Sequence, residues 1–130
     1  MQKVLPDPSP LARPYFDGCR EGQLLLQSCQ TCDKPQFYPR VVCSHCGAST
    51  LHWTPASGRG SVASFTIVRR AVSQAYDAPY VLALIDLAEG PRMMSQVIDV
   101  DIATMTVGIE VSVAFEAWSD EIDMPVFRPV

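Results

Sequence analysis

Residues 29–46 read CQTCDKPQFYPRVVCSHC, and they decide what the rest of this chain can be. Cys29 and Cys32 form one C-x2-C pair, Cys43 and Cys46 a second, with ten residues between the pairs. Each pair folds into a tight knuckle that aims two sulfurs at one ion, and the connector is long enough to return the second knuckle opposite the first. Four thiolates close the tetrahedral shell of a zinc ion and leave no position for water or substrate. The spacing therefore predicts a structural rather than a catalytic metal site on Cys29, Cys32, Cys43 and Cys46. Iron in a rubredoxin-like site is the alternative, because both metals accept thiolates. Gly47 follows the second knuckle, as such turns favour, whereas Asp33 takes the same place after the first.

Two disulfides are the competing reading of the same residues. Met1 to Leu11 is broken by Pro6, Pro8, Ser9 and Pro10 and lacks the apolar centre of a secretory signal. No run approaches the roughly 18 apolar residues of a membrane span. A cytoplasmic setting with no membrane association is expected, and there paired C-x2-C motifs bind metal. The fifth cysteine, Cys19, fits neither pair and reads as a small buried apolar residue.

At 130 residues, 48% of them hydrophobic and 18% charged, the chain has room for one ordinary domain, or a very small one beside a larger one. Its net charge of −4 is uneven. Residues 1–70 hold eight Lys/Arg against four Asp/Glu, whereas residues 71–130 hold two against ten. Broad nucleic-acid binding needs a basic excess, which this balance does not supply. A local basic face remains open, with Lys34, Arg40, Arg59, Arg69 and Arg70 as candidates for a small phosphorylated ligand. Taken singly, each also reads as a solvated surface charge.

Residues 1–22 read as a proline-broken arm followed by a short helix from Tyr15 to Gly22, with Tyr15, Phe16 and Cys19 on one side. Gly18 and Gly22 weaken that helix, so it needs something to pack on. Residues 23–54 form the metal ribbon, in which His45 is read as a surface residue because four sulfurs already complete the shell. A ribbon this small draws its folding energy from the metal. In residues 55–130 the pattern changes to period two. Val62, Ser64, Thr66 and Val68 alternate with Ala63, Phe65 and Ile67. Val81–Leu87 is so apolar that burial on both faces is expected. Met93–Val100, Val111–Ala117 and Met124–Phe127 complete five strands, with a helical turn at Asp101–Met105 and turn signals at Gly58-Arg59-Gly60, Ala78-Pro79, Gly90-Pro91 and Gly108. The fold class predicted is mainly β: a small N-terminal helix, a rubredoxin-like zinc ribbon, then a five-stranded Greek-key barrel of the OB type, with other small barrels also fitting the strand count.

The order of several segments resembles a known family. Tyr15-Phe16-Asp17-Gly18 with Gly22-Gln23-Leu24 matches its helical lead-in, and Gln36-Phe37-Tyr38-Pro39-Arg40 between the two cysteine pairs matches its ribbon. Gly58-Arg59-Gly60-Ser61-Val62, Pro79-Tyr80-Val81, Gly90-Pro91-Arg92-Met93-Met94-Ser95, Val107-Gly108 and Phe127-Arg128-Pro129 follow where its barrel has comparable segments. Over residues 15–130 the chain resembles the acyl-CoA-associated OB-fold proteins with a zinc ribbon, the domain-of-unknown-function family thirty-five. Some relatives have lost ribbon cysteines; all four are present here.

That resemblance implies a non-catalytic accessory subunit in lipid, sterol or polyketide-type metabolism. The partner would be a thiolase-fold enzyme (thiolase, aldolase or acyltransferase) or a hot-dog-fold enoyl-CoA hydratase, with acyl-CoA as a further ligand. Lys34, Arg40 and Arg59 become candidate contacts for CoA phosphates, and Phe37, Tyr38 and the Ala71–Tyr80 loop candidate partner contacts. The residues agree in lacking a nucleophile elbow, a phosphate-binding Gly loop or a His-Glu-x-x-His helix. A single-stranded nucleic-acid-binding module, with Phe65 near Arg69 and Arg70, is the rival reading.

Overall fold

The computed structural model describes residues 2–130. Helix α1 covers Arg13–Arg20, two residues earlier than its apolar spacing implies, because Pro14 suits the first turn, where no backbone N–H is needed. Tyr15 and Cys19 are buried and Phe16 is half-buried, as predicted. Gly22 lies beyond the helix at φ 76°, and the Gln23 N–H returns to the Gly18 carbonyl at 2.8 Å, closing the C-terminus. Gly18 costs helix propensity but serves packing: a Cβ there would lie 2.8 Å from Leu25 Cγ. The arm before α1 has no regular structure up to Ser9, yet it is not free. Lys3 rests on two aromatic rings of the barrel, and Arg13 donates to the Pro8 carbonyl at 3.5 Å.

The ribbon is a three-stranded antiparallel sheet in the order β2 (Pro35–Gln36), β1 (Leu25–Cys29), β3 (Leu51–Pro55). The barrel is closed in the order β4 (Arg59–Val68), β5 (Tyr80–Leu87), β6 (Arg92–Val97), β8 (Asp123–Pro129), β7 (Glu110–Ala117). That is the five-stranded OB arrangement, in which the first strand pairs with both the second and the fourth. A 3-10 turn at Ile102–Thr104, capped by the Asp101 carboxylate on the Ala103 N–H, occupies the place of the expected helical turn.

Four expectations change. A bulge between Val62 and Ser64 shifts the register of β4, so Val62 and then Phe65 and Ile67 face the core while Ser64 and Thr66 face solvent. Simple alternation had put Val62, Ser64 and Thr66 on one face. β5 is buried on one face only: Val81, Ala83, Ile85 and Leu87 point inward, and Tyr80, Leu82 and Leu84 are half-buried outside. Finally β6 ends at Val97 rather than Val100, because Asp99 takes a left-handed conformation at φ 55°. Gly60, expected in a turn, instead lies within β4 and pairs with both Leu87 and Val111. A Cβ there would meet the Asp86 carbonyl at 2.7 Å, so only glycine lets three strands meet at this corner.

One core joins the parts. Tyr15 and Cys19 of the helix and Leu24 and Leu26 at β1 belong to the same apolar cluster as Val62, Ile85, Val111 and Phe127 of the barrel.

Candidate metal centre and an adjoining groove

Each knuckle is a backbone turn repeated. The Asp33 N–H donates to the Cys29 carbonyl at 2.8 Å, and the Gly47 N–H to the Cys43 carbonyl at 2.9 Å. Both residues have left-handed φ, 59° and 78°. Glycine adopts that conformation freely and aspartate is among the few residues that tolerate it, which is how Asp33 replaces the usual glycine. The four Sγ atoms of Cys29, Cys32, Cys43 and Cys46 converge to within 4.8 Å of one another. Cys29–Cys46 and Cys32–Cys43 separations are 3.7 and 3.6 Å. A tetrahedron built on zinc–sulfur bonds of ~2.3 Å has edges of about 3.8 Å, so the donor set fits a single thiolate-bound ion. The Cys32 N–H and the Thr50 hydroxyl favour the thiolate of Cys29 and pull its thiol below the ordinary range. The His45 N–H reaches Cys43 Sγ at 3.3 Å, and the exposed His45 ring turns away, with Nε2 3.3 Å from the Pro35 carbonyl.

Sequence reasoning missed what holds the connector between the knuckles. Gln27 and Gln36, each 4% exposed, form a buried amide network. Gln36 Nε2 donates to Gln27 Oε1 at 2.8 Å, and that oxygen also accepts the Arg40 N–H at 2.8 Å. Gln27 Nε2 donates to the Arg40 carbonyl at 3.0 Å, and Gln36 Oε1 accepts the Ser44 N–H at 2.7 Å. Buried polar groups in this number are stable only when paired, and here they pair with the loop itself. Their sequence signal was the placement of Gln27 two residues before Cys29 in an apolar run.

This network fixes the segment that carries Phe37 and Tyr38, whose rings meet at 4.5 Å and whose pair is joined by Tyr15 at 5.5 Å from Phe37. They form one wall of a groove of about 500 Å³. Tyr80 and Leu82 of β5 and Met94 and Gln96 of β6 form its floor, and Val72, Tyr76 and Trp118 close one end. The groove thus lies on the face of the second and third barrel strands, between the loops where OB folds take ligands. None of its lining residues is charged, unlike a groove that tracks a nucleic-acid backbone. Tyr38, Val72 and Met94 are 51%, 81% and 54% exposed, so apolar surface is presented to solvent. The predicted contacts Phe37 and Tyr38 and, from the Ala71–Tyr80 loop, Val72, Tyr76 and Tyr80 come together here although far apart in sequence.

The basic candidates do not converge in this way. Lys34 borders a separate cleft of about 350 Å³ with His45 and Arg92. Arg40 and Arg59 are exposed and border neither that cleft nor the groove. Cys19 is fully buried, and its thiol is pushed up to about 12, first by burial and then by Asp123. No helix among the described residues is long and apolar enough to cross a membrane.

Family models match consecutive parts of the chain: the ChsH2 rubredoxin-like zinc ribbon domain over residues 16–52 and the ChsH2 C-terminal OB-fold domain over residues 53–116. A DUF35 domain-containing scaffold protein of Methanothermobacter thermautotrophicus is 32% identical over 95 residues, covering 72% of this chain and 71% of that protein. This chain belongs to the DUF35 family. A probable enoyl-CoA hydratase alpha subunit of Thermomonospora curvata is 29% identical over 115 residues, 88% of this chain. The DUF35 chain spans only 36% of that relative's length. A solved chain described as Ltp2-ChsH2(DUF35) aldolase superimposes with a TM-score of 0.89 at 27% identity, covering 96% of this chain and 98% of that one.

Proposed function

We propose that this DUF35 protein is a non-catalytic accessory subunit of an acyl-CoA-processing enzyme of the thiolase-fold or hot-dog hydratase class. The observation that carries the reading is the end-to-end superposition on a chain described as part of an aldolase, with 98% of that chain covered. Scaffold and hydratase-subunit descriptions of the sequence relatives support it. The uncharged groove adds a physical reason, since an exposed apolar surface of this kind favours a partner over water.

In this reading the four cysteines hold one structural zinc, with iron as the substitute, and a reducing, cytoplasmic setting suits such thiolate ligands. The metal supplies folding energy and rigidity and no catalytic chemistry. The buried amides then hold Phe37 and Tyr38 against the groove that the partner covers. Where CoA phosphates reach this subunit, Lys34 meets them at the mouth of its cleft, and Arg40 and Arg59 act as separate exposed contacts. Arg offers bidentate phosphate geometry and Lys a mobile point charge.

The test is purification of the tagged protein from its native host, with mass spectrometry of stoichiometric partners. Recovery of a thiolase-fold or hydratase enzyme, with acyl-CoA turnover only in the complex, is the expected result. Turnover by the isolated chain, abolished by a substitution within it, would sink the reading.

A further inference from the structure

The groove ends in a corner of aromatic rings. Tyr76 and Trp118 stand with centroids 6.2 Å apart and planes at 78°, and Tyr80 stacks behind Tyr76 at 5.7 Å. The ammonium of Lys3 lies in that corner, 5.0 Å from the Tyr76 centroid and 5.4 Å from that of Trp118. Both separations fall within the ~6 Å over which a ring face attracts a cation. Glu116 accepts the Trp118 indole N–H at 3.1 Å, which adds negative charge at the edge of the same ring. The ion pairs among the described residues are Asp86–Arg92 and Asp99–Arg128, so no carboxylate pairs with Lys3.

Charge and shape point to one kind of occupant. The trough itself is uncharged, so what lies along it is apolar. Its aromatic end belongs to the half of the chain with ten acidic residues and two basic ones, so what lies there is a cation. Lys3 shows the mode of binding from within the molecule. No secondary structure anchors it: residues 2–9 form no helix or strand, and the neighbouring Val4 is 91% exposed.

We propose that the Tyr76–Trp118 corner is a receptor for a lysine or arginine side chain of the partner enzyme, whose apolar flanking residues lie along the groove. Lys3 occupies the corner in the free subunit and yields it on docking. The identity of the partner rests on the accessory-subunit reading; the affinity of the corner for a cation does not.

The first arm of the test needs no partner. Choline and its neutral isostere 3,3-dimethylbutan-1-ol are titrated into the wild-type protein and the Lys3→Ala variant, with the indole N–H signals of Trp118 and Trp53 followed by NMR. Choline is expected to move Trp118 and leave Trp53, and to bind Lys3→Ala about two- to fivefold more tightly than wild type. Equal binding of the alcohol, indifference to Lys3→Ala, or a silent Trp118 would each overturn the proposal. The second arm uses the purified complex. Lys3→Ala should tighten it and Tyr76→Leu, which keeps apolar volume but removes the ring face, should weaken it. A complex insensitive to both changes overturns the docking mode. Choline binding at Trp118 with no recoverable enzyme partner would instead overturn the accessory reading and the docking with it, leaving a cation site alone.

Discussion

The ribbon and the barrel are held together by different physics, although one apolar cluster joins them. The barrel encloses Phe127, Ile85, Val62 and Val111, each 1% exposed or less, inside five closed strands. The ribbon has three short strands, one of only two residues, and its interior between the knuckles is filled by two glutamine amides and four sulfurs. Hydrophobic burial scales with area, which a ribbon of about 30 residues does not have; covalent-like metal bonds and paired amides replace it. The lesson is one of rigidity. A metal-tied ribbon can hold two aromatics, half-buried Phe37 and exposed Tyr38, at a fixed place on the rim of the groove, where an apolar loop would collapse.

The sharpest way to break the comparison is to remove the metal. Metal binding contributes about 10–16 kcal/mol of folding energy in zinc-finger peptides, and the ribbon here has little to substitute for it. Cys29→Ser, or chelation of the wild-type protein, is expected to lose the ion and melt residues 23–54 while the barrel strands persist. Elemental analysis and amide NMR would report both. Falling pH acts in the same direction, because protons compete for sulfurs that bind as thiolates. A folded ribbon without metal would show that the amide network suffices. Because Leu24 and Leu26 share the barrel's core cluster, the barrel should also lose some thermal stability, but not its strands.

The converse change is Phe127→Ala, at the centre of the barrel and 0% exposed. Truncating a buried phenylalanine costs about 3–5 kcal/mol. Global stability, followed by circular dichroism on denaturant titration, should fall by that order while the metal stays bound to folded molecules. Loss of metal at denaturant concentrations where the barrel is still intact would mean that the ribbon depends on the barrel more than its own ligands imply.

The two regions also differed in how far sequence revealed them. Cysteine spacing located the four sulfurs that converge because a metal site imposes geometry at fixed offsets, and strand periodicity located the barrel because burial repeats every second residue. Phase was harder. The bulge at Ala63 is invisible to a period-two count, so Ser64 and Phe65 exchanged faces. The apolar run of β5 was legible as a strand, yet its outer face proved to be the floor of a groove. An apolar residue facing a partner and one facing a core look alike in sequence. The groove required tertiary information, since its lining includes Phe37, Tyr76 and Trp118, which only the closed barrel and docked ribbon bring together.

The smallest of these effects bears on what the sequence hid most completely, the buried amides. Gln27→Leu keeps the length and apolar packing of β1 but removes both ends of the amide. The Arg40 N–H loses its acceptor and the Arg40 carbonyl its donor, while Gln36 Nε2 keeps only the longer bond to the Val42 carbonyl at 3.4 Å. Because Arg40 is exposed and Pro39 half-exposed, water replaces most of the lost partners, and the net cost is about 1–3 kcal/mol. The metal should remain, because Gln27 touches none of the four sulfurs. What should change is the connector: faster amide exchange at Arg40 and Ser44, and weaker partner binding as Phe37 and Tyr38 lose their fixed position. If exchange and binding are both unaltered, the metal alone organises the ribbon and the amides merely fill it. If exchange rises while binding holds, the aromatics are positioned by Tyr15 and the barrel rather than by the loop that carries them.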